Sequence, residues 1–205
     1  MQKARQVRSA STLERILDAA LAIFRAEGFR GAGIAAICKA AGVSPGNLYH
    51  YFDSKEDIVA AIVARDRTRL TGEIAGLMAR DDPVESIIAA IIEEPQPGEF
   101  GLDPVMTAEI YAEALRNPVV AGIVQEFTRQ THVEVVAMLA TLRDRGLVAL
   151  ETDLAPVAGL LMALVDGILT RRLADGESDP AALAGPLRVA IGAVLGVTTK
   201  DDKMV

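Results

Sequence analysis

Short polar residues stand directly before proline at five places in this chain, and this punctuation constrains the fold more than any other feature. The pairs are Ser44-Pro45, Asp82-Pro83, Asp103-Pro104, Asn117-Pro118 and Asp179-Pro180. A Ser, Asp or Asn side chain can cap the unpaired N–H groups at a helix start, and Pro suits the first helical position because it has no N–H to leave unpaired. Each pair therefore predicts a helix that begins at its proline.

The segments that follow carry apolar residues at helical spacing, such as Ile87, Ile88, Ile91 and Ile92. No stretch between turn signals alternates apolar and polar residues with period two, so we predict an all-α fold. About nine helices are expected, at residues 10–27, 34–41, 45–51, 54–79, 83–94, 103–116, 118–145, 153–174 and 180–196. Residues 95–101 form the one connection that is rich in Pro and Gly.

Charge divides the chain into two parts of opposite sign. Residues up to Arg69 hold 11 Lys and Arg against 7 Asp and Glu, whereas the rest of the chain holds 10 against 21. The net charge of −7 argues against a nucleic-acid partner only as an average, because contact with phosphate needs Lys and Arg locally. The division favours a basic module beside an acidic one, with merely solvated N-terminal charges as the simpler alternative.

Residues 34–52 have the pattern of two short helices joined by a turn. Gly42 suits the left-handed residue that ends the first helix, and Ser44 suits the cap of the second. Such a pair of helices forms a helix-turn-helix, although the same spacing also fits an ordinary corner between two helices. The apolar side chains fall on one face of each helix: Ile34, Ile37, Cys38 and Ala41 in the first, Leu48 and Phe52 in the second.

These residues carry a resemblance to a known family. The AGVS, LYHYF and SKE elements of residues 41–44, 48–52 and 54–56 resemble, in order and spacing, the helix-turn-helix signature of the TetR (tetracycline repressor-like) family of bacterial regulators. Residues 16–24 and Glu27-Gly28-Phe29 are similar to that family's first helix and its closing glycine. The resemblance covers roughly residues 10–60, and it implies a ligand-released repressor that binds a palindromic operator in double-stranded DNA as a homodimer.

The resemblance also implies roles for individual residues. Pro45, Gly46 and Asn47 would lie closest to base edges, whereas Tyr49 and His50 would reach the phosphate backbone. Lys55, next to the capping residue of a helix start, would meet a phosphate with its charge. The predicted DNA-binding set is Lys39, Ser44, Pro45, Gly46, Asn47, Tyr49, His50 and Lys55.

One departure from the family pattern lies before the second helix. Family members usually carry Thr or Ser there, where the hydroxyl caps the helix and touches phosphate, but this chain has Ala32 and Gly33. Gly is a tolerable capping residue, so we expect the helix to form. The contact that this hydroxyl makes with phosphate would be missing here, or Arg30 or Lys39 would supply it instead.

We expect residues 1–55 to be the helix-turn-helix DNA-binding domain and residues 56–205 to be a helical ligand-binding and dimerisation domain. The apolar segment 154–169 and the small residues of the last helix suit packing between subunits or, equally, an intramolecular bundle core. The methionines suit an apolar effector, whereas His132 with Glu109 and Glu113 suits a polar or cationic one. The candidate pocket residues are Met106, Tyr111, Phe127, His132, Met138 and Met162.

Two competing classes remain at this point: a helical DNA-binding protein without a small-molecule inducer, and an all-α enzyme. The chain has two histidines, His50 and His132, and one cysteine, Cys38, so its sequence offers no Cys/His cluster and no nucleophile paired with a base. It also has no glycine-rich motif of the kind that binds phosphate. We therefore expect no enzyme activity, no metal and no cofactor. The polar N-terminus and single cysteine predict a cytoplasmic protein. The resemblance to the TetR family further implies that it acts at the bacterial nucleoid.

Overall fold

A computed structural model describes residues 2–92, 104–175 and 180–197. Within these ranges the chain forms nine α-helices and no strand, which confirms the predicted all-α fold. The helices are α1 (Gln2–Gly31), α2 (Ile34–Ala41), α3 (Pro45–Leu48), α4 (Lys55–Met78), α5 (Pro83–Ile92), α6 (Pro104–Ala114), α7 (Pro118–Asp144), α8 (Leu154–Asp175) and α9 (Pro180–Val194).

The helix starts follow the proline punctuation of the sequence. Five helices begin at a predicted proline: Pro45, Pro83, Pro104, Pro118 and Pro180. The capping role is visible at Asn117, whose Oδ1 accepts a hydrogen bond from the backbone N–H of Val119 at 3.1 Å. Asp103, Asp179 and the predicted loop 95–101 lie outside the described residues.

The first helix is longer than its sequence pattern predicted and is broken near its end. It begins at Gln2 rather than near residue 10. At Gly28 the backbone turns to φ 70° and ψ 166°, a conformation that essentially only glycine adopts, and helical structure then resumes as far as Gly31. The predicted closing glycine therefore ends the main body of α1, and one further turn follows it.

The chain divides into two compact units, each with its own hydrophobic core. The first comprises residues 1–66 and 102–127 and so includes α1, α2, α3 and α6 with the adjoining parts of α4 and α7. Its most deeply buried large side chains are Ile16, Phe24, Ile37, Leu48, Ile58, Ile62 and Met106.

The second unit comprises residues 67–101 and 128–205. Its described helices are α5, α8 and α9 with the remaining parts of α4 and α7, and α9 contacts both α5 and α8. Fully buried side chains at its centre are Leu139, Leu142, Ala158, Ile191 and Leu195. In the described ranges, no helix is both long enough and apolar enough to span a membrane.

Candidate nucleic-acid interface

The helix-turn-helix is formed by α2, the turn 42–44 and α3. Its first helix buries Ile37, Cys38 and Ala41. At its end Gly42 has φ 65° and ψ 38°, and the N–H of Val43 donates to the carbonyl of Cys38 at 3.0 Å, as is typical of a left-handed helix stop. The residues that predicted this turn from the sequence therefore form it.

The start of α2 lacks a side-chain cap. Gly33 is the capping residue, with φ −87° and ψ 142°, and no side chain of its own can accept the orphan N–H groups of the helix. A Cβ atom built at Gly33 would meet nothing within 4 Å. The departure from the usual Thr or Ser thus leaves open space at the Cβ position of the capping residue.

The second helix, α3, is a single turn. Ser44 caps it by accepting a hydrogen bond at Oγ from the N–H of Asn47 at 3.2 Å, and Leu48 is its one buried residue. The prediction of a helix over 45–51 was wrong in its end point. After Leu48 the backbone bonds change to a tighter turn, as in the 2.9 Å bond from the N–H of Tyr51 to the carbonyl of Leu48.

Seven of the eight predicted DNA-binding residues are exposed, and they are clustered at the end of α2 and in the segment 44–50. The His50 ring packs edge-on against the Tyr51 ring, with 5.5 Å between ring centroids. Exposure leaves these side chains available to a partner, and their contact with DNA stays a prediction. The seven are Lys39, Ser44, Pro45, Gly46, Asn47, Tyr49 and His50.

Lys55, the eighth, is half-buried at the first position of α4. Its ammonium donates to the backbone carbonyl of Phe29 at 2.8 Å and to that of Ala32 at 3.0 Å. It also lies 4.7 Å from the centroid of the Phe29 ring. These acceptors could not be predicted from the sequence, because they are backbone atoms 23 and 26 residues away.

Ion pairs join α1 to α4 within the first unit. The Arg65 guanidinium donates to Asp18 at 2.7 Å and to Glu14 at 3.0 Å. Burial works to lower the pKa of Arg65, but the hydrogen bonds and charges of Asp18 and Glu14 outweigh it and raise that pKa. Because the Arg65 guanidinium is already paired with Asp18 and Glu14, we do not include Arg65 among the residues that would bind DNA phosphate.

Within the first unit, the end of α6 contacts α1 and the residue before α7 contacts α4, at two points that the sequence pattern did not predict. Glu113 is buried and accepts a hydrogen bond at Oε2 from Nε of Arg30 at 3.2 Å. The Asn117 amide donates to Oε1 of Glu56 at 2.9 Å. The charge of Glu113, which we had considered for an effector, is thus already engaged by Arg30. The predicted boundary at residue 55 between DNA-binding and ligand-binding domains stays a prediction.

The predicted pocket residues fall in both units. Met106 is fully buried in the first core, Tyr111 is exposed, and Phe127 is half-buried against that core. His132, Met138 and Met162 belong to the second unit, where Met138 is buried. The His132 Nε2 lies 2.8 Å from the carbonyl oxygen of Ala155.

The buried hydroxyl of Thr131, next to His132 in the chain, was not predicted from the sequence as a functional group. Thr131 is on the buried face of α7, in helical register with Val135 and Met138. In the part of the chain that the structure describes, its Oγ has no hydrogen-bond partner. A polar atom in that state costs free energy, so a ligand's polar group that reached the Thr131 hydroxyl would be stabilising.

Helices α8 and α9 present apolar side chains to solvent as well as to the core. Leu160 is 57% exposed and Val189 is 61% exposed, although Ala158 and Ile191 on the same helices are fully buried. Both predicted roles of these helices therefore have support, since one face of each helix forms core and another is exposed among the described residues. Around Leu160 and Val189 the exposed positions are mostly small or apolar: Pro156, Ala163, Gly167, Pro186 and Ala193.

No group of three or more His, Cys, Asp or Glu side chains is arranged to hold a metal ion among the residues that the structure describes. Cys38 is a free, buried thiol in α2. The arrangement described above offers surfaces for binding and a buried hydroxyl, and it contains no group of side chains that we can assign to catalysis.

Two family models match the chain, over two successive ranges. The model described as bacterial regulatory proteins, tetR family, matches residues 16–62, which include the helix-turn-helix. The model described as the C-terminal part of BetI-type transcriptional repressors matches residues 84–196, which include all but the first residue of α5 and all of α6 to α9. The two matched ranges together account for most of the described helices.

Similar proteins extend over nearly the whole chain. The HTH-type transcriptional regulator UidR of Escherichia coli strain K12 is 35% identical over 195 residues, which cover 93% of this chain and 96% of that protein. The structure of Salmonella enterica GusR has a TM-score of 0.70 at 29% identity and covers 90% of this chain and 95% of that one. FadR of Bacillus subtilis, solved in complex with stearoyl-CoA, has a TM-score of 0.73 at 20% identity, covers 90% and 99%, and shares the fold.

Proposed function

Because the chain belongs to the TetR family of DNA-binding bacterial regulators, we propose that it is a repressor that binds a palindromic operator as a homodimer and is released by a small molecule. Residues 1–55 read the DNA, and residues 56–205 receive the effector and form the dimer. Since its target is the chromosome, it acts in the cytoplasm, at the nucleoid. The same membership supports a regulator rather than an enzyme.

One observation carries the DNA-binding part of this proposal: the exposed, chemically mixed surface at the segment 44–50. The Asn47 side chain suits bidentate hydrogen bonds to adenine, and the small Gly46 allows the backbone to approach the bases closely. Tyr49 and His50 offer donors to phosphate oxygens, and Lys39 offers charge. Base contacts and phosphate contacts are thus carried by different residues, which makes the two roles separable by mutation.

The experiment that tests this begins with selection of sequences from a random duplex library by the full-length chain. We expect a palindrome whose half-sites lie about one helical turn, or a multiple of it, apart. In gel shifts with competitor DNA, Asn47→Ala should alter base preference, whereas Tyr49→Ala should weaken binding to all sequences by a similar factor. Failure of the wild-type chain to enrich any sequence over random duplex would refute DNA recognition.

The homodimer is proposed to form through the exposed apolar faces of α8 and α9. An apolar side chain such as Leu160 gains stability when a second copy removes it from water. Partial burial already raises the pKa of the Asp166 carboxyl on α8 above its ordinary value. The interface we propose is largely apolar, because Leu160, Ala163 and Gly167 are exposed on α8, with the Asp166 carboxyl on the same helix.

For the effector we propose a site in the second unit that uses Thr131 with His132, Met138 and Met162. The unpartnered hydroxyl supports a ligand with at least one polar group on an otherwise apolar body. The dimer would have two forms, which differ in the spacing between its two DNA-binding helices. The ligand would release the repressor only to the extent that it binds more tightly to the form whose spacing does not fit the operator. Met106, Tyr111 and Phe127, in the first unit, are weaker candidates for direct contact.

A regulator that responds to no small molecule is the alternative. Thermal melting of the chain with a library of metabolites separates the two, because a ligand that binds the folded state raises its melting temperature. An inducer should both stabilise the chain and weaken operator binding. A compound that stabilises the chain without weakening operator binding would count against the proposed release.

A further inference from the structure

The ammonium of Lys55 is held by atoms from the connection between α1 and α2. Two of its three N–H groups donate to carbonyl oxygens, 2.8 Å to Phe29 and 3.0 Å to Ala32. The face of the Phe29 ring, 4.7 Å away at its centroid, attracts the same charge. Phe29 packs in turn on Phe24, with 5.5 Å between ring centroids. The amine is therefore fixed in the protein rather than extended into solvent.

Helix electrostatics explain why a cation is stable at this point. The last carbonyl groups of α1 have no partners within the helix and form the negative end of its dipole. Lys55 itself begins α4, whose positive end disfavours a cation, so its favourable interaction is with the carbonyl groups of Phe29, near the end of α1, and of Ala32, which follows α1. Ser54 and Asp57 fix the backbone there, since the N–H of Ser54 donates to Asp57 Oδ2 at 2.9 Å and the N–H of Asp57 donates to Ser54 Oγ at 3.1 Å.

The contact joins the two ends of the segment that contains the helix-turn-helix. Ala32 lies between α1 and the capping residue of α2, and Lys55 lies directly after the loop that follows α3. Inside this segment α2 is anchored by its buried residues Ile37, Cys38 and Ala41, whereas α3 is a single turn with Leu48 as its one buried residue. The position of α3 therefore depends on how the ends of the segment 32–55 are held.

We propose that Lys55 is a positioning residue for sequence recognition, whose ammonium holds the segment 32–55 closed so that Asn47 is presented to the bases at a fixed place. The resemblance to the family placed the same amine on a phosphate instead. The proposal rests on the proposed function, since it concerns how the chain distinguishes its operator from other DNA. Positioning and phosphate contact differ in one measurable respect, the salt dependence of binding.

The test compares Lys55→Met with Lys39→Met, a matched control that removes an exposed lysine of the same helix-turn-helix. Fluorescence anisotropy gives the Kd of each full-length variant for the selected operator and for random duplex, at several salt concentrations. For Lys55→Met we expect operator binding about tenfold weaker, random-duplex binding within about twofold, and an unchanged salt slope. For Lys39→Met we expect both affinities to fall by the same factor and the salt slope to decrease by about 0.9.

Several outcomes would overturn the inference. Equal weakening of both affinities by Lys55→Met, with a smaller salt slope, would make Lys55 a phosphate contact. A lower melting temperature with both affinities unchanged would make it a purely structural residue. If Lys55→Met does not fold, the test uses Lys55→Arg, which keeps the charge but replaces the compact ammonium by a planar guanidinium. An unchanged ratio of operator affinity to random-duplex affinity in Lys55→Arg then refutes positioning. A wild-type chain that selects no sequence refutes the proposed function itself.

Discussion

Arg30 and Glu113 form an ion pair in which the acid is buried and the base lies largely in solvent. The exposed fraction is 8% for the Glu113 side chain and 69% for that of Arg30, and Nε of Arg30 lies 3.2 Å from Oε2 of Glu113. The pair joins the end of α1 to α6, two helices 83 residues apart at these positions. Because the Glu113 carboxylate is largely removed from water, its stability depends on the hydrogen bond and charge of Arg30.

Removing Arg30 should therefore destabilise the first unit more than neutralising Glu113 does. We expect Arg30→Met to lower the free energy of unfolding by about 1–3 kcal/mol, since it leaves a buried carboxylate without this donor. Glu113→Gln removes the charge and keeps an acceptor, so its cost should be about 1 kcal/mol or less. Urea denaturation measures both, and the double variant should be more stable than the sum of the single costs predicts. Additive costs would contradict the coupling.

The end of α9 approaches the backbone of Ala149 closely enough to require glycine. Gly196 has φ 65°, and a Cβ there would lie 2.8 Å from the carbonyl oxygen of Ala149. Gly146 has φ 70° but would meet nothing within 4 Å, so it is a matched control for backbone strain alone. Gly146→Ala should cost about 1 kcal/mol, and Gly196→Ala about 1–3 kcal/mol more because of overlap with backbone. Equal losses in melting experiments would disprove the close approach.

The sequence predicted those parts of the fold that depend on local chemistry. The prolines at 45, 83, 104, 118 and 180 located five helix starts, and Gly42 located the turn of the helix-turn-helix. Contacts with distant partners were not predictable, because neither the carbonyl acceptors of Lys55 nor the pairing of Glu113 with Arg30 leaves a pattern along the chain. A local sequence motif identified the exposed DNA-binding candidates. Thr131, in contrast, became a candidate for effector binding only once the structure showed that it is buried.

Restoring a hydroxyl at the start of α2 should improve both folding and DNA binding. Gly33 has an ordinary backbone conformation and open space at its Cβ position, so Gly33→Ser adds a cap without strain. We expect a gain of about 0.2–0.5 kcal/mol in the free energy of unfolding. The hydroxyl also adds a donor that suits phosphate, so Kd for DNA should fall about equally for operator and random duplex.

The control for that change is Gly42→Ser at the other end of the same helix. Gly42 has φ 65°, so the same substitution there should cost about 1 kcal/mol through backbone strain. Urea denaturation and anisotropy are measured on both variants. Loss of stability in Gly33→Ser would mean that the start of α2 does not tolerate a side chain, against the open geometry described above.

A charge placed on the apolar face of α8 should disrupt the proposed dimer. Leu160→Glu would put a carboxylate into an interface that we expect to be apolar, at a cost of several kcal/mol when the two copies associate. Val133→Glu on α7 is a matched control, because Leu160 and Val133 are both 57% exposed. Sedimentation velocity at micromolar concentration should show a monomer for Leu160→Glu and a dimer for wild type and Val133→Glu. A dimer in all three would exclude this face from the interface.

Replacing the buried hydroxyl of Thr131 should stabilise the ligand-free chain and weaken its response to an effector. Thr131→Val keeps the shape and removes an Oγ that has no partner in the described residues, so we expect a gain of about 1 kcal/mol in the free energy of unfolding. Thr141→Val on the same helix removes an exposed hydroxyl that donates to the Ala137 carbonyl at 2.9 Å, and should change stability by less than about 0.5 kcal/mol. With any compound that raises the wild-type melting temperature, the shift should be smaller for Thr131→Val and unchanged for Thr141→Val. If Thr131→Val is destabilised, the hydroxyl is already satisfied and the proposed effector site loses its support.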